Sequence, residues 1–137
     1  MSVRTAALLL LAAGPLACGP AVSDHDNRIF ATPASIKLSA ADLSMAYASD
    51  ARAADGRYRG RVLEVSGVIG KLESGRSTLM LTGAEKGPVV EASLHEDVAA
   101  GMLKTMADAQ RVTIKCFCEG LNQHVRLKSC VTADPAR

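Results

Sequence analysis

The sequence predicts a mainly β domain with helices, closed into a small five-stranded barrel. Three observations carry that reading. In the stretch Ala53 to Ile69, Leu63, Val65 and Ile69 share one face while Glu64 and Ser66 point the other way. This alternation marks a half-buried strand, and Gly67 on its apolar face marks a bend. Two short strands, a helix and two further strands follow. A helical segment precedes the first strand. Three strands, a helix, then two strands is the element order of the OB-fold, a partly open barrel. The leading helix is an addition to that order, placed as a lid over one end.

The elements follow in chain order. Ser39-Ala40-Ala41-Asp42 has the form of a helix capping box, with Asp in place of Glu. Leu43, Ala46, Tyr47, Ala51 and Ala54 then recur at helical spacing, and Asp55-Gly56 is read as the helix end. The first strand runs from Arg61 to Ile69, the second from Thr78 to Leu81, the third from Val89 to Leu94. Glu96 to Ala107 reads as a helix with Val98, Met102, Leu103 and Met106 on one side and two acids at its positive end. His95, just before it, reads as a cap or surface residue. Arg111 to Cys118 is the fourth strand, Gly120 to His124 a turn, and Val125 to Val131 the fifth strand.

Before the domain the chain reads as appendages. Residues 1–17 resemble an export signal: Arg4 is the basic end and Ala6 to Ala13 an apolar run too short to span a bilayer. Cys18 sits where a lipoprotein signal places its lipidated cysteine, although Pro15 and Leu16 depart from that pattern. An ordinary secretory signal cleaved nearby is the alternative. Either reading places the chain outside the cytoplasm, where disulfides persist. Residues 18–37 hold Pro20, Pro33 and scattered polar groups without periodicity, and read as a tether, mobile unless docked. The domain is assigned to 38–132 and a polar tail to 133–137.

Composition narrows the function classes. The net charge is +2, and beyond residue 17 there are 15 basic against 14 acidic residues. That balance carries no electrostatic footprint of a nucleic-acid binder and no polybasic run for an anionic membrane surface. Aromatic residues are few, two Phe and two Tyr with no Trp. No serine–histidine–aspartate pattern, glycine-rich phosphate loop or paired helical histidines stands in the chain. An enzyme is therefore not expected, and neither is a cofactor. Cys116-Phe117-Cys118 has the wrong spacing for a zinc pair and lacks the redox Cys-x-x-Cys form, so no metal is expected.

Leu43, Tyr47, Ala54-Asp55, Tyr58, Gly60 and Val65-Ser66-Gly67 resemble the opening pattern of the tRNA_anti-like family of bacterial OB-fold lipoproteins. Cys118-Glu119-Gly120, Val125, Leu127 and Cys130 resemble its ending. The resemblance covers Ser39 to Val131, with 71–109 similar only in element order. It implies the fold, an exported location and a bridge between Cys118 and Cys130, and it carries no enzymatic activity. Strand spacing stands against that bridge. In a tight hairpin Cys118 lies near the turn and Cys130 several residues up the other strand, so a bulge near Lys128-Ser129 or a longer loop would be needed. Otherwise all three cysteines are buried or partly buried thiols.

The expected function is an exported, lipid-anchored binding module of the cell envelope. Its partner would be a protein, peptide or glycan, with a membrane contact through the N-terminal lipid. The expected ligand face comprises Tyr58, Arg59 and Arg61 with Phe117 and Arg126, where alternation points Phe117 away from the core. Single-stranded nucleic acid, which needs aromatic platforms in a basic groove, is the competing partner.

Overall fold

A computed structural model describes residues 24–133; the expected signal, Cys18 and residues 134–137 lie outside the described residues. The barrel closes in the order β2 (Val62–Glu73), β3 (Thr78–Leu81), β4 (Val90–Leu94), β6 (His124–Thr132), β5 (Arg111–Asn122) and back to β2. Only β4–β6 is parallel within the ring. A sixth strand, β1 (Ile36–Ser39), runs parallel to the first half of β2. Three helices complete the fold: α1 (Ala40–Ser49), α2 (Ala51–Tyr58) and α3 (Glu96–Thr105). This is the expected mainly β barrel of OB type, with its helix between the third and fourth barrel strands.

The core follows from the alternation. Leu63, Val65 and Ile69 of β2 are fully buried and meet Leu79, Leu81, Val90, Ala92, Ile114 and Leu127 inside the barrel. β2 is long because its halves have different partners: β1 and β5 flank its start, β3 its end, with a register shift between Ile69 and Lys71. Gly67 serves a packing need. A Cβ there would stand 2.9 Å from the Ala40 Cβ, so the missing side chain lets α1 begin directly against the sheet.

The expected leading helix is two helices. The Ser39 hydroxyl accepts from the Asp42 N–H and caps α1. Asp50 then adopts extended backbone (φ −160°, ψ 96°) and its carboxylate accepts from the Ala53 N–H, capping α2. An aspartate that offers the backbone its own acceptor favours a new cap over continuing the helix. Gly56 therefore lies within α2, and the left-handed turn that leaves it falls to Gly60 at φ +78°.

Two larger departures concern the chain's ends. The expected tether is docked from residue 24 onward. A 3-10 turn at Asn27–Phe30 packs on the outer face of the barrel, where Ile29 is fully buried against Val62, Phe117 and Val131. Its rim is polar: Lys128 Nζ lies 2.6 Å from Asp24 Oδ1, the Asp26 N–H donates to Ser129 Oγ at 2.7 Å, and His95 Nε2 meets Asn27 Oδ1 at 2.9 Å. Within the strap the His25 Nδ1 accepts from the Glu96 N–H and the Asp26 carboxylate accepts from the Arg28 N–H. His95 does cap α3, its Nδ1 accepting from the Asp97 N–H, but as a buried residue beneath this strap.

Among the described residues the disulfide joins Cys116 to Cys130, and Cys118 is the free thiol. The implied Cys118–Cys130 pairing is thus corrected, and register gives the reason. Lys115 pairs with Val131 and Phe117 with Lys128, so β6 carries one extra residue in that interval. That residue is Ser129, buried and at φ +55°. The bulge anticipated near Lys128-Ser129 is present, but it brings Cys130 across from Cys116, at 4.3 Å between Cα atoms, while Cys118 pairs with Leu127.

The strap behaves as part of the folded unit. Replacing Ile29 with Ala removes a buried aliphatic group and should cost about 2–4 kcal/mol in urea unfolding. A loss below about 0.5 kcal/mol, the usual range for exposed positions, would mean that the strap contributes nothing.

Candidate functional site

A cleft of about 230 Å³ opens between α2 and the end of β5, lined by Asp55, Arg59, Glu119, Gly120, Leu121 and Asn122. Two local features shape it. The turn of α2 presents Asp55 and Arg59 one helical turn apart, with the guanidinium 4.0 Å from Asp55 Oδ2. On the facing strand Cys118 pairs with Leu127 and Gly120 with Arg126, so Glu119 is an extra residue in β5. Such a bulge re-aims a side chain, and here Glu119 lines the cleft with its carboxylate 3.9 Å from Lys128.

Behind the cleft is a buried polar chain. The Tyr47 hydroxyl donates to Asp55 Oδ1 at 2.9 Å, and Cys118 Sγ lies 3.7 Å from the same hydroxyl. Tyrosine has a single proton, and the carboxylate can only accept. The Cys118 thiol therefore donates to the tyrosine oxygen. Burial pushes the Cys118 thiol up from its ordinary pKa, and burial, with Cys118 and Asp55 adjoining, pushes the Tyr47 phenol up as well. Both groups stay protonated, and the chain fixes the Asp55 carboxylate. A reactive cysteine needs the thiolate, which this site disfavours.

Gly120 completes the arrangement. It sits at φ +106°, and a Cβ there would come 2.9 Å from Asp55 Oδ1. The strand–helix junction is tied by the backbone. The Gly60 N–H donates to the Cys118 carbonyl at 2.7 Å and the Cys118 N–H donates to the Arg61 carbonyl at 3.0 Å.

The expected ligand face is not assembled. Phe117 does point out of the barrel, but outward there is the strap, and the ring is 6 % exposed beneath Ile29 with the Arg28 guanidinium 5.3 Å above it. Tyr58 is 5 % exposed and packs in the core with Arg57 over its ring. Arg126 is half-buried on another side, its Nε 3.8 Å from the Glu91 carboxylate. Arg61 is exposed, and only Arg59 reaches the cleft. Two of the basic residues that could have formed a patch face acids: Lys128 meets Asp24 and Glu119, Arg126 meets Glu91. Among the described residues no group of three or more His, Cys, Asp or Glu side chains is placed to hold a metal ion.

Sequence reasoning missed Asp55, Glu119, Leu121 and Asn122 as cleft residues and Tyr47 as their support. A signal was present. Tyr47, Ala54-Asp55 and Gly60 from the opening pattern meet Cys118 and Gly120 from the closing one in this single place. A family model matches residues 9–131, nearly the whole chain. The chain belongs to the tRNA_anti-like family. No curated protein and no solved structure gives a significant match. The tRNA_anti-like pattern residues thus converge on the buried chain behind the cleft, although 71 positions separate Tyr47 from Cys118.

Two outcomes test this geometry. Gly120→Ala should lower stability by about 1–3 kcal/mol, since it forces a side chain into left-handed backbone against Asp55. Gly56→Ala is the contrast. It meets nothing within 4 Å and should stabilise α2, by about 0.5–1 kcal/mol in thermal unfolding. Equal effects of the two substitutions would refute the close approach at Gly120. Cys118 should resist iodoacetamide in the native protein and react only on unfolding, as read by peptide mapping. Its raised pKa also sets a sign. The stability it contributes is full below the ordinary thiol value of 9.0 and falls as pH rises past it, because the unfolded chain ionises first.

Proposed function

We propose that this protein is an exported, lipid-anchored binding module of the bacterial cell envelope, which meets its ligand at the Asp55–Asn122 cleft. The observation that carries the location is the Cys116–Cys130 disulfide inside the barrel wall. Such bonds persist in oxidising compartments and are kept reduced in most cytosolic proteins. The export-like N-terminus and the cysteine at position 18 agree with it. The binding part of the reading is supported by the family, by the barrel and by an open cleft whose carboxylate is held in place from behind. The protonated, buried Cys118 beside it supports recognition over catalysis.

The strap adds a mechanical point to this reading. A chain leaving a lipid at Cys18 would reach the barrel within a few residues, at Asp24. The domain would then sit close to the bilayer. Nucleic acid is the poorer partner, because the aromatic ring it would need is covered by Ile29 and the cations beside that ring, Arg28 and Lys128, are engaged by Asp26 and Asp24.

Intact mass spectrometry of the protein from membranes, with and without reduction and alkylation, tests the proposal. The expected species is an acylated chain beginning at Cys18, two hydrogens lighter than its reduced form. A chain beginning at Met1 with every thiol free would overturn both location and anchor, and would return nucleic-acid binding to consideration.

A further inference from the structure

The chemistry of the cleft selects among ligand classes. Its lining carries both signs: Arg59 stands 4.0 Å from Asp55, and Glu119 stands 3.9 Å from Lys128, whose ammonium is held by Asp24 at 2.6 Å. Both separations are too long for hydrogen bonds, so Asp55 Oδ2, Arg59 and Glu119 keep unused bonding capacity. An anionic ligand would have to approach two carboxylates, and a cation would have to approach the largely exposed Arg59 guanidinium. A neutral group that both donates and accepts meets neither penalty. Hydroxyl groups do both.

The arrangement of donors and acceptors extends this point. Asp55 Oδ1 is taken by the Tyr47 hydroxyl, which leaves Oδ2 toward the cleft beside the Arg59 fork. A carboxylate and a guanidinium side by side match two neighbouring hydroxyls, one donating and one accepting. The Asn122 amide adds a donor and an acceptor at the rim. Leu121, 42 % exposed, supplies an apolar surface between these polar groups. A sugar ring has that same division into hydroxyl edges and a C–H face. The volume of about 230 Å³ lies below the usual range for drug-sized ligands and suits one ring at a time. Holding Asp55 from behind lowers the ordering cost of binding.

We infer that the cleft formed by Asp55, Arg59, Glu119, Leu121 and Asn122 binds a neutral saccharide. This deepens the reading of the chain as a binding module and rests on it. The ring lies on Leu121, one hydroxyl donates to Asp55 Oδ2 and a neighbouring one accepts from Arg59.

The test is a titration of the mature, disulfide-bonded chain, followed by amide and arginine side-chain nitrogen–proton spectra. The probes are maltotetraose, chitotetraose, a thymidine decanucleotide and trilysine. The expected result is that a neutral sugar shifts Gly120, Leu121, Asn122 and the Arg59 side chain together, with a Kd of about 1 mM or tighter that added salt does not change. Asp55→Asn keeps an oxygen for Tyr47 and should weaken binding by about tenfold or more, and the exposed Asn122→Ala should weaken it with no change in thermal unfolding. Shifts at these residues with the decanucleotide or trilysine, and none with either sugar, would overturn the saccharide class while leaving a binding module. No shift with any probe would overturn the saccharide and count against the cleft itself as the ligand site.

Discussion

The extra residue in β6 is the constraint on which most of this molecule depends. Ser129 takes left-handed backbone and interrupts two ladders at once, that with β5 and that with β4. One residue of slippage moves everything after it to the other face of a strand. Here the slippage brings Cys130 opposite Cys116 and lets its carbonyl accept from the His95 N–H, at the start of α3. It also turns the Ser129 hydroxyl outward to accept from the Asp26 N–H, which anchors the strap. Disulfide, helix junction and N-terminal docking are three results of one local insertion.

A second bulge, at Glu119, does for the candidate site what Ser129 does for the frame. It lies between the cysteine that supports Tyr47 and the glycine that admits Asp55. The support is polar and buried, which is costly unless every member is satisfied. Here the thiol donates to the phenol and the phenol to the carboxylate. The carboxylate faces both the cleft and its arginine. The order of proton donation leaves the carboxylate acceptor outermost.

Much of the frame was legible along the chain. The alternation of Leu63, Val65 and Ile69, the short strands at Leu79 and Val90, and the acidic start of α3 each report a local preference that the barrel keeps. The cap at Ser39 formed as its residues imply. What local patterns could not report was competition between them. Asp50 reads as a tolerable helix residue until its side chain claims the Ala53 N–H. Residues 24–37 have no period because a strap needs none; its fit lies in one isoleucine and in polar contacts from Asp24, Asp26 and Asn27 to distant residues. The candidate cleft was the least legible part, since its residues come from a helix and a hairpin and share no spacing.

The barrel's order of elements and the core faces of most strands are written in the periodicity of single segments, and the family in the pattern residues at the two ends of the domain. Only the tertiary structure decided which cysteine pairs with Cys130, where Phe117 ends up, and that Tyr47, Asp55, Cys118 and Gly120 form one site. The physical reason is the same in each case. Register between strands is set by bulges and by what packs over a face, and both are sums of contacts between residues far apart in the chain. Phe117 points outward as alternation requires, yet outward becomes buried once Ile29, 88 positions earlier, lies across it.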